Sequence, residues 1–333
     1  MDDLNYGTRN KRGDWTPSAP LETGPLFTPP IRLGKILKWL PSYFLPWNVL
    51  FFAIALGAWW LTVPGPDVLK TLAPGWILVI WLRNMALILV IYGMMELRLY
   101  TRRRQGNRFK YNGKFPSDQP SDVFMFKSQN IDNIIRGFGT GIPIWTAYEV
   151  LGLWAWANGW GPWTTWAAHP VWLTVFGLLI LMFHDVHFFC IHRLIHVPFL
   201  YKWVHSVHHN SVNPSPWSSL SMHPVEHLFY WSGSLIHLIL PSHPILLIYH
   251  TQMAGVGAVV GHVGFDKVEL GEGAIPTHAF AHYLHHKYFE VNYADGGIPL
   301  DKWFGTWHDG SREGDALMEA RYAKKRARMN AAK

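Results

Sequence analysis

The sequence predicts an all-α integral membrane protein with about four transmembrane helices, a helical hairpin and a helical cap that carries clustered histidines. Three observations support this fold class. Charged residues make up 15% of the 333 residues, against about 25% in a typical soluble domain. Several segments are apolar over lengths that can cross a bilayer. All 19 histidines lie between His169 and His308.

Four apolar segments are candidates for membrane spans, each of which needs about 20 mainly apolar residues. No charged side chain occurs between Lys38 and Asp67, and the first span lies in that gap. The apolar region Leu228–Val263 is broken by Pro241 and Pro244, so we expect a helical hairpin that either spans or is re-entrant. The predicted spans are Trp47–Val63, Gly75–Met95, Phe138–Ala157 and a segment from Pro170 to about Phe183.

Two ionisable residues lie inside predicted spans, Arg83 in the second and Glu149 in the third. A charged residue in a span is costly unless it faces protein or reaches the interface. We therefore expect Arg83 to be interfacial or to face the helix bundle. The alternatives for Glu149 are a functional role and a hydrogen bond that packs two helices together.

Basic residues predict the orientation in the membrane. Short loops rich in Lys and Arg stay cytoplasmic, so both termini and the histidines are expected on the cytoplasmic side of a bacterial inner membrane or the endoplasmic reticulum. The first fifteen residues lack the apolar core of a signal peptide, so internal segments are expected to direct insertion. The basic loop after the second span contains Arg98, Arg102, Arg103, Arg104, Arg108, Lys110 and Lys114.

The chain divides into four predicted regions. Residues 1–38 form a cytoplasmic segment, and residues 39–170 form membrane helices without a catalytic motif. Residues 171–310 contain the histidine motifs, and residues 311–333 form a basic tail. The single cysteine, Cys190, excludes an internal disulfide, a four-thiolate iron–sulfur cluster and a cysteine-type zinc site. The basic clusters lie in no nucleic-acid-binding motif, so a nucleic-acid partner is not expected.

The first histidine group follows the fourth predicted span. His192 and His196 are four residues apart, about 40° of rotation on a helix, so they share a face and can bind one ion. Asp185 lies on the same face. His184 and His187 point elsewhere, and we expect them to be core or interfacial histidines that hydrogen-bond to carbonyl groups.

Two later groups share the pattern His-x-x-His-His. Adjacent histidines on a helix differ by about 100°, so they suit two ions side by side. With the first group they supply eight imidazoles, whereas one tetrahedral zinc needs at most four protein ligands. Imidazole is a good ligand for iron, and the pattern predicts a dinuclear site. The two groups are His205, His208 and His209, and His282, His285 and His286.

These motifs resemble the fatty acid hydroxylase / sterol desaturase superfamily of integral-membrane di-iron enzymes. The order His-x-x-x-His, His-x-x-His-His, His-x-x-His-His is that family's signature. The resemblance covers about Val171–Gly310, and HPVE (223–226) is similar to the sterol-enzyme branch. The segment NYADGGIPLDKWFGTWHDG (292–310) resembles the family's ending, and its matching residues are Asn292, Tyr293, Asp301, Phe304, Gly305 and Thr306.

The resemblance implies which histidines bind metal. His262 resembles an extra family histidine, and His223 and His227 are further candidates. Pro224 is expected at the first helical position, which puts His223 at the cap and His227 a turn later, so the two need not converge. The family's ligands correspond to His192, His196, His205, His208, His209, His282, His285 and His286. The candidates for residues that support these ligands are Asp185, Glu226 and Asn292.

The resemblance also implies a reaction. Two iron ions would activate O₂ to hydroxylate or desaturate a C–H bond of a lipid, either sterol-like or fatty-acyl. Since the chain has no haem or iron–sulfur motif, an external electron donor is implied: a ferredoxin, a cytochrome b5 or a flavin reductase. Asp185 would fix the tautomer of an imidazole, and the alternative is a carboxylate near Arg193 at the helix end.

Other functions explain fewer residues. HPVEH (223–227) matches an inverted zinc-protease motif with Glu226 as general base, but that function leaves eight clustered histidines unexplained. A metal transporter or storage protein predicts ionisable residues deep in several spans, whereas these histidines crowd at helix ends and in loops. A bis-histidine haem protein would place paired histidines inside facing spans, and the first three predicted spans contain none.

Overall fold

The computed structural model describes residues 1–294 and 297–331 and is mainly helical. Residues 295–296 of the NYADGG motif and residues 332–333 of the basic tail lie outside the described residues. The first helices are α1 (Leu33–Phe44), α2 (Trp47–Thr62), α3 (Pro66–Leu69), α4 (Pro74–Glu96), α5 (Gln129–Arg136), α6 (Ile142–Ala157) and α7 (Pro170–Ile195). The later helices are α8 (Pro198–Leu200), α9 (Ser206–His209), α10 (Pro224–Trp231), α11 (Pro244–His262), α12 (Phe280–Tyr288), α13 (Leu300–Trp303) and α14 (Arg312–Ala331).

Shorter elements connect these helices. Antiparallel hairpins pair β1 (Gly7–Arg9) with β2 (Trp15–Pro17), and β3 (Lys267–Leu270) with β4 (Gly273–Pro276). π-helical turns lie at Leu97–Thr101, Gly137–Gly141 and Tyr201–His205. Turns of 3-10 helix lie at Asp3–Asn5, Pro25–Phe27, Pro116–Asp118, Met125–Lys127, Pro216–Leu220 and Ser232–Leu238.

Proline marks the start of each long apolar helix. Pro74, Pro170 and Pro244 begin α4, α7 and α11, where the missing N–H group costs no hydrogen bond and the fixed φ suits a helix. At the start of α11 the His243 side chain also accepts a hydrogen bond from the Ile245 N–H group. The predicted break between the two halves of the hairpin therefore lies where Pro244 was expected to place it.

Among the described residues, three helices are long and apolar enough to cross a membrane: Pro74–Thr101, α7 and α11. Helices α1 and α2 reach that length only as a pair bent by 43°. The first, second and fourth predicted spans correspond to α2, α4 and α7. The third is α6, which is helical as predicted but only 16 residues long and does not belong to this set.

Helix α11 forms the centre of the helical bundle. In its most apolar stretch 78% of the residues are buried, against 22% for α4 and 28% for α7. Its glycines allow this close packing, because a Cβ atom at Gly255 would lie 2.7 Å from the Trp145 ring and one at Gly257 would lie 3.0 Å from Phe51. The GVGAVVG stretch (255–261) is therefore a packing surface.

Arg83 and Glu149 meet inside the helical bundle. Arg83 Nη2 donates to Glu149 Oε1 over 2.5 Å, and the two side chains are 8% and 0% exposed. Arg83 also donates to Thr62 Oγ1 and to Asn84 Oδ1. The pair and these hydrogen bonds join α2, α4 and α6, so both residues face the bundle as expected.

A second apolar core lies at the end of the bundle where the histidines gather. It joins residues from the N-terminal hairpin, the basic loop, the β3–β4 hairpin and α12, including Trp15, Tyr111, Phe265, Phe280 and Leu284. The all-α expectation missed the two small hairpins. In β3–β4 only Gly271 and Glu272 separate the paired Leu270 and Gly273, and Gly271 has the positive φ that such a tight turn requires.

Candidate metal centre

Nine histidines form two compact groups, and the nitrogens of each group lie within 4.8 Å of one another. All but His196 are buried. The first group is His192, His196, His205, His209 and His285. The second group is His208, His262, His282 and His286.

Helical periodicity distributes the side chains between these groups. The adjacent residues His208 and His209 enter different groups, and so do His285 and His286, because neighbours on a helix point about 100° apart. The i, i+4 pair His192 and His196 enters one group. The structure thus has the paired arrangement that the spacing predicts, with His262 as a ninth member.

A π-helical turn sets the position of the middle cluster. Pro198 begins a new helical segment after α7 ends at Ile195, and Tyr201–His205 then forms the π turn that leads into α9. An extra residue in a helical turn changes the direction of the side chains that follow, and π turns are frequent at functional sites. Proline favours such a break in a helix, so Pro198 is a sequence signal for it, whereas the π turn has no sequence signal.

The spacing of the nitrogens fits metal binding. In the first group the Nε2 atoms of His196, His209 and His285 are 3.1–3.2 Å apart. In the second group the Nε2 atoms of His262 and His282 are 2.9 Å apart. Two nitrogens bound at right angles to one ion, each about 2.1 Å from it, are about 3.0 Å apart.

The side chain of His205 provides a second observation that fits metal binding. Its Nε2 atom is buried and has no hydrogen-bond partner among the described residues. A buried polar nitrogen without a partner is costly, and a metal ion in the first group would remove that cost. The donor set of each group therefore fits an ion with imidazole ligands.

Backbone carbonyls orient the rings through the opposite nitrogen. His192 Nδ1 lies 2.8 Å from the Tyr293 carbonyl oxygen, and His285 Nδ1 lies 2.6 Å from that of Val291. The same contact joins His208 Nδ1 to Ser221 O and His262 Nδ1 to Ala258 O. Donation from Nδ1 leaves the Nε2 lone pair for the metal, which is the usual arrangement around ligating histidines. The acceptors for the first group come from the loop that follows α12.

Burial keeps the ligands uncharged. It lowers the pKa of His208 to about 4 and, with repulsion from neighbouring histidines, lowers the pKa of His285 and His286 well below 6.5. A metal ion binds the neutral form of imidazole. The histidines in these positions are therefore in the binding form at neutral pH.

Glu226, one of the candidates for residues that support the ligands, contacts His205. Its Oε1 atom lies 2.8 Å from His205 Nδ1, and both side chains are buried. Burial raises the pKa of the Glu226 carboxyl well above its ordinary range. A nearby cation favours the charged carboxylate and opposes this shift.

The other two supporting candidates, Asp185 and Asn292, make hydrogen bonds to the backbone of loops. Asp185 Oδ2 accepts a hydrogen bond of 2.7 Å from the Ile298 N–H group. The Asn292 side chain donates to the carbonyls of Ala281 and His308 and accepts from the His308 N–H group. Asn292 thus fixes the loop whose carbonyls orient His192 and His285.

His223 and His227 do not join either group. His223 caps α10, because its Nδ1 atom accepts from the Val225 N–H group, as Pro224 at the first helical position predicted. His227 contacts Thr140 Oγ1 through Nδ1 and the Leu220 carbonyl through Nε2, so its ring is already engaged on both sides. Glu226 contacts His205. His223, Glu226 and His227 of HPVEH therefore do not converge as a zinc-protease site requires.

A cavity of about 230 Å³ extends from the histidines into the helical bundle. His192, His205, His208, His262 and His282 line one end. The rest of the lining is mainly apolar and includes side chains from the first half of the chain, where the sequence showed no motif. These lining residues include Tyr43, Trp47, Asn48, Phe51, Phe188, Met222 and Met253.

We expect Glu226→Ala to weaken metal binding to the first group by about 10- to 100-fold, the range for losing a residue that orients a ligand. The reason is that His205 loses the acceptor that fixes its ring. A competition titration with a chelator measures the affinity. Glu226→Gln keeps an acceptor oxygen at that position and is the matched control. Equal affinities for Glu226→Ala and the wild type would contradict the supporting role.

Comparison with known proteins finds relatives of the part of the chain that carries the histidine groups. Residues 177–306 match the family model for fatty acid hydroxylase. A Delta(7)-sterol 5(6)-desaturase of Aspergillus fumigatus is 31% identical over 159 residues, which cover 40% of this chain and 49% of that protein. Methylsterol monooxygenase 1 of Gallus gallus is 28% identical over 42% of this chain and 49% of its own length.

A third relative is a fatty acid hydroxylase of Mycosarcoma maydis, 30% identical over 39% of this chain and 32% of that protein. The chain spans about half the length of the first curated relatives that it matches. No solved structure matches it. The matched region contains most of α7, both His-x-x-His-His motifs and most of the carbonyl-supplying ending. Residues 177–306 therefore match the fatty acid hydroxylase family, in agreement with the superfamily that the histidine motifs resemble.

Proposed function

We propose that the protein is a membrane-bound di-iron oxidoreductase that uses O₂ to hydroxylate or desaturate a C–H bond of a lipid. The observation that carries this proposal is the pair of all-histidine groups. Adjacent histidines on α9 and on α12 go to different groups, so the two groups lie side by side. Two ions at these positions would be neighbours, and their imidazole ligands, all of them buried except His196, would be neutral.

Iron suits these donors, since imidazole is among its common ligands. When bound, the iron pair supplies the redox chemistry that activates O₂ and oxidises an unactivated C–H bond. The chain's own part is to orient the rings through Nδ1, to exclude bulk water and to hold one carbon of the substrate near the Nε2 atoms. His192, His196, His205, His209 and His285 would bind one ion. His208, His262, His282 and His286 would bind the other.

The cavity supports a lipid substrate. Its lining beyond the histidines is mainly apolar, and it leads towards the bend between α1 and α2, where Tyr43 and Asn48 line its wall. An apolar chain or ring system fits such a lining, because burying apolar surface is favourable. The names of the relatives, which act on sterols or fatty acids, support the same class. The substrate is thus proposed to be sterol-like or fatty-acyl and to enter from the bilayer.

Electrons are proposed to come from a separate donor, namely a ferredoxin, a cytochrome b5 or a flavin reductase. The N-terminal hairpin, the basic loop and the histidine region share one core, so they lie at the same end of the bundle. The positive-inside rule places such a basic end in the cytoplasm. We therefore propose that the metal centre and both termini face the cytoplasm, where these donors are available.

A comparison of lipids from a host with and without the gene tests the proposed function. Hydroxylation would raise the mass of one lipid by 16 Da, and desaturation would lower it by 2 Da. A host that expresses His209→Ala is the control, because this variant lacks a ligand of the first group. If the wild-type protein changed no lipid and consumed no O₂ with a reductant present, the oxidase proposal would be wrong.

A further inference from the structure

Besides His227, the helical bundle contains other histidines that belong to neither metal group. They are His184, His187, His237 and His250. Three of them form a hydrogen-bonded row that starts at Ser242. Ser242 Oγ lies 2.7 Å from His237 Nδ1. His237 Nε2 lies 3.2 Å from His250 Nδ1, and His250 Nε2 lies 3.4 Å from His184 Nδ1. Ser242, His237, His250 and His184 are called the imidazole row below.

The rings of the imidazole row are joined head to tail. His237 and His250 each use Nδ1 towards Ser242 and Nε2 towards the next ring, and His184 ends the row with Nδ1 towards His250. The three rings therefore have the same direction along the row. A neutral imidazole accepts a hydrogen bond at one nitrogen and donates from the other. A row with a single direction can therefore move a proton from one end to the other.

The two ends of the row lie in different places. Ser242 precedes the first residue of α11, Pro244, and lies at the end of the bundle opposite to His262. His184 lines the same cavity as the metal-group histidines. The row therefore connects the far end of α11 to the cavity.

Aromatic side chains lie beside the rings of the row. Phe176 packs edge-to-face on His237 with ring centroids 5.5 Å apart. Phe188 stacks parallel to His184 at 6.3 Å. His237 and His250 are almost completely buried, so bulk water does not compete for their nitrogens.

We propose that the imidazole row is a proton relay that supplies protons to the cavity beside the metal groups. This inference rests on the proposed function. Hydroxylation of a C–H bond by O₂ gives an alcohol and water and consumes two electrons and two protons. The external donor supplies the electrons, and the row supplies protons. Four of the metal-group histidines already use Nδ1 on backbone carbonyls.

Each transfer only breaks and forms bonds to hydrogen. The Ser242 hydroxyl gives its proton to His237 Nδ1. Ser242 is itself buried, so it regains a proton from water that reaches it past the neighbouring exposed Pro241. His237 passes its Nε2 proton to His250 Nδ1, and His250 passes its own to His184 Nδ1. His184 releases its Nε2 proton to an acceptor in the cavity. Each ring then carries its proton on the other nitrogen and must turn over before the next transfer.

The variant His250→Phe in the full-length, iron-loaded protein in lipid nanodiscs tests the relay. We expect the iron content to stay at the wild-type level and kcat to fall by about 100-fold, within the range for positioned proton transfer. The solvent deuterium isotope effect on kcat should rise, and more of the consumed O₂ should appear as hydrogen peroxide. His250→Gln keeps donor and acceptor atoms but cannot exchange tautomers, and it should show the same kinetic loss if the Phe variant does not fold.

His187→Phe is the matched control. His187 lies on the same helix as His184 and bonds to Ser232 Oγ over 3.0 Å, outside the imidazole row. Its replacement should leave kcat and the isotope effect unchanged. The relay would be overturned if both His250 variants lost iron. It would also be overturned if the wild-type protein were active and the His250 variants had the same kcat and isotope effect.

A measurement that needs no turnover separates this inference from the proposed function. Nitrogen NMR of histidine-labelled full-length protein reports the tautomer of each imidazole. His184→Phe should shift the resonances of His250 and His237, whereas His187→Phe should not. If no resonance shifted, the row itself would be overturned. An inactive wild type would overturn the proposed oxidase function, but the effect of His184→Phe on the His250 and His237 resonances could still be measured.

Discussion

Replacing His208 by alanine should remove the ion of the second group and lower lipid oxidation by more than 100-fold. His208 contributes its Nε2 atom to that group, 3.2 Å from His262 Nε2. Loss of a residue that only orients a ligand costs about 10- to 100-fold, so loss of the ligand itself should cost more. The first group keeps all five of its members, and the iron content should fall by about half.

Metal analysis of the purified protein measures this outcome, and its insertion into the membrane is checked separately. His209→Ala should give the complementary result, with the ion of the first group lost. His223→Ala is the matched control: it removes a histidine whose ring caps α10 and should retain both ions. Full iron content and turnover in His208→Ala would show that the two groups do not hold separate ions.

The division of ligands between two groups is the part of the centre that the sequence predicts best. It depends on local geometry alone, since His208 and His209, or His285 and His286, diverge by about 100° wherever their helices lie. The convergence of α7, α9, α11 and α12 is a tertiary property. For that reason His262 could be assigned only by family resemblance, and its contact with His282 appears only in the structure.

The loops and hairpins around the centre were harder to predict. The carbonyls of Val291 and Tyr293 orient two ligands, and a backbone carbonyl has no sequence signature of its own. The imidazole row was also missed, because His184, His237 and His250 are far apart in sequence and each alone fits an ordinary buried histidine. Pairing of distant residues inside an apolar bundle follows from packing, which periodicity does not show.

The ion pair inside the bundle shows the same limit. Arg83 and Glu149 each break an apolar stretch, and the cost of a charge in a membrane predicts that each faces protein. The sequence does not show that they face each other. Their pairing places α4 against α6, and Thr62 adds α2 through its hydrogen bond to Arg83.

Glu149→Ala should destabilise the helical bundle by about 3–5 kcal/mol, the usual cost of leaving one partner of a buried ion pair alone. Arg83 would keep its hydrogen bonds to Thr62 and Asn84 but would lose its counter-charge at a site where it is 8% exposed. Denaturant titration in detergent micelles or nanodiscs measures the free energy of unfolding. The variant should also unfold at a lower temperature than the wild type.

The double variant Arg83→Met with Glu149→Met decides whether the charge or the lost volume causes the effect. Removing both charges together is often neutral or stabilising, so the double variant should recover most of the lost stability. Recovery would show that the pair fixes how α4 and α6 meet and adds little net stability. Glu149 Oε2 also accepts a hydrogen bond from Thr251 Oγ1. If the double variant were as unstable as Glu149→Ala, the contacts of the glutamate with Thr251 and other neighbours would be the main contribution.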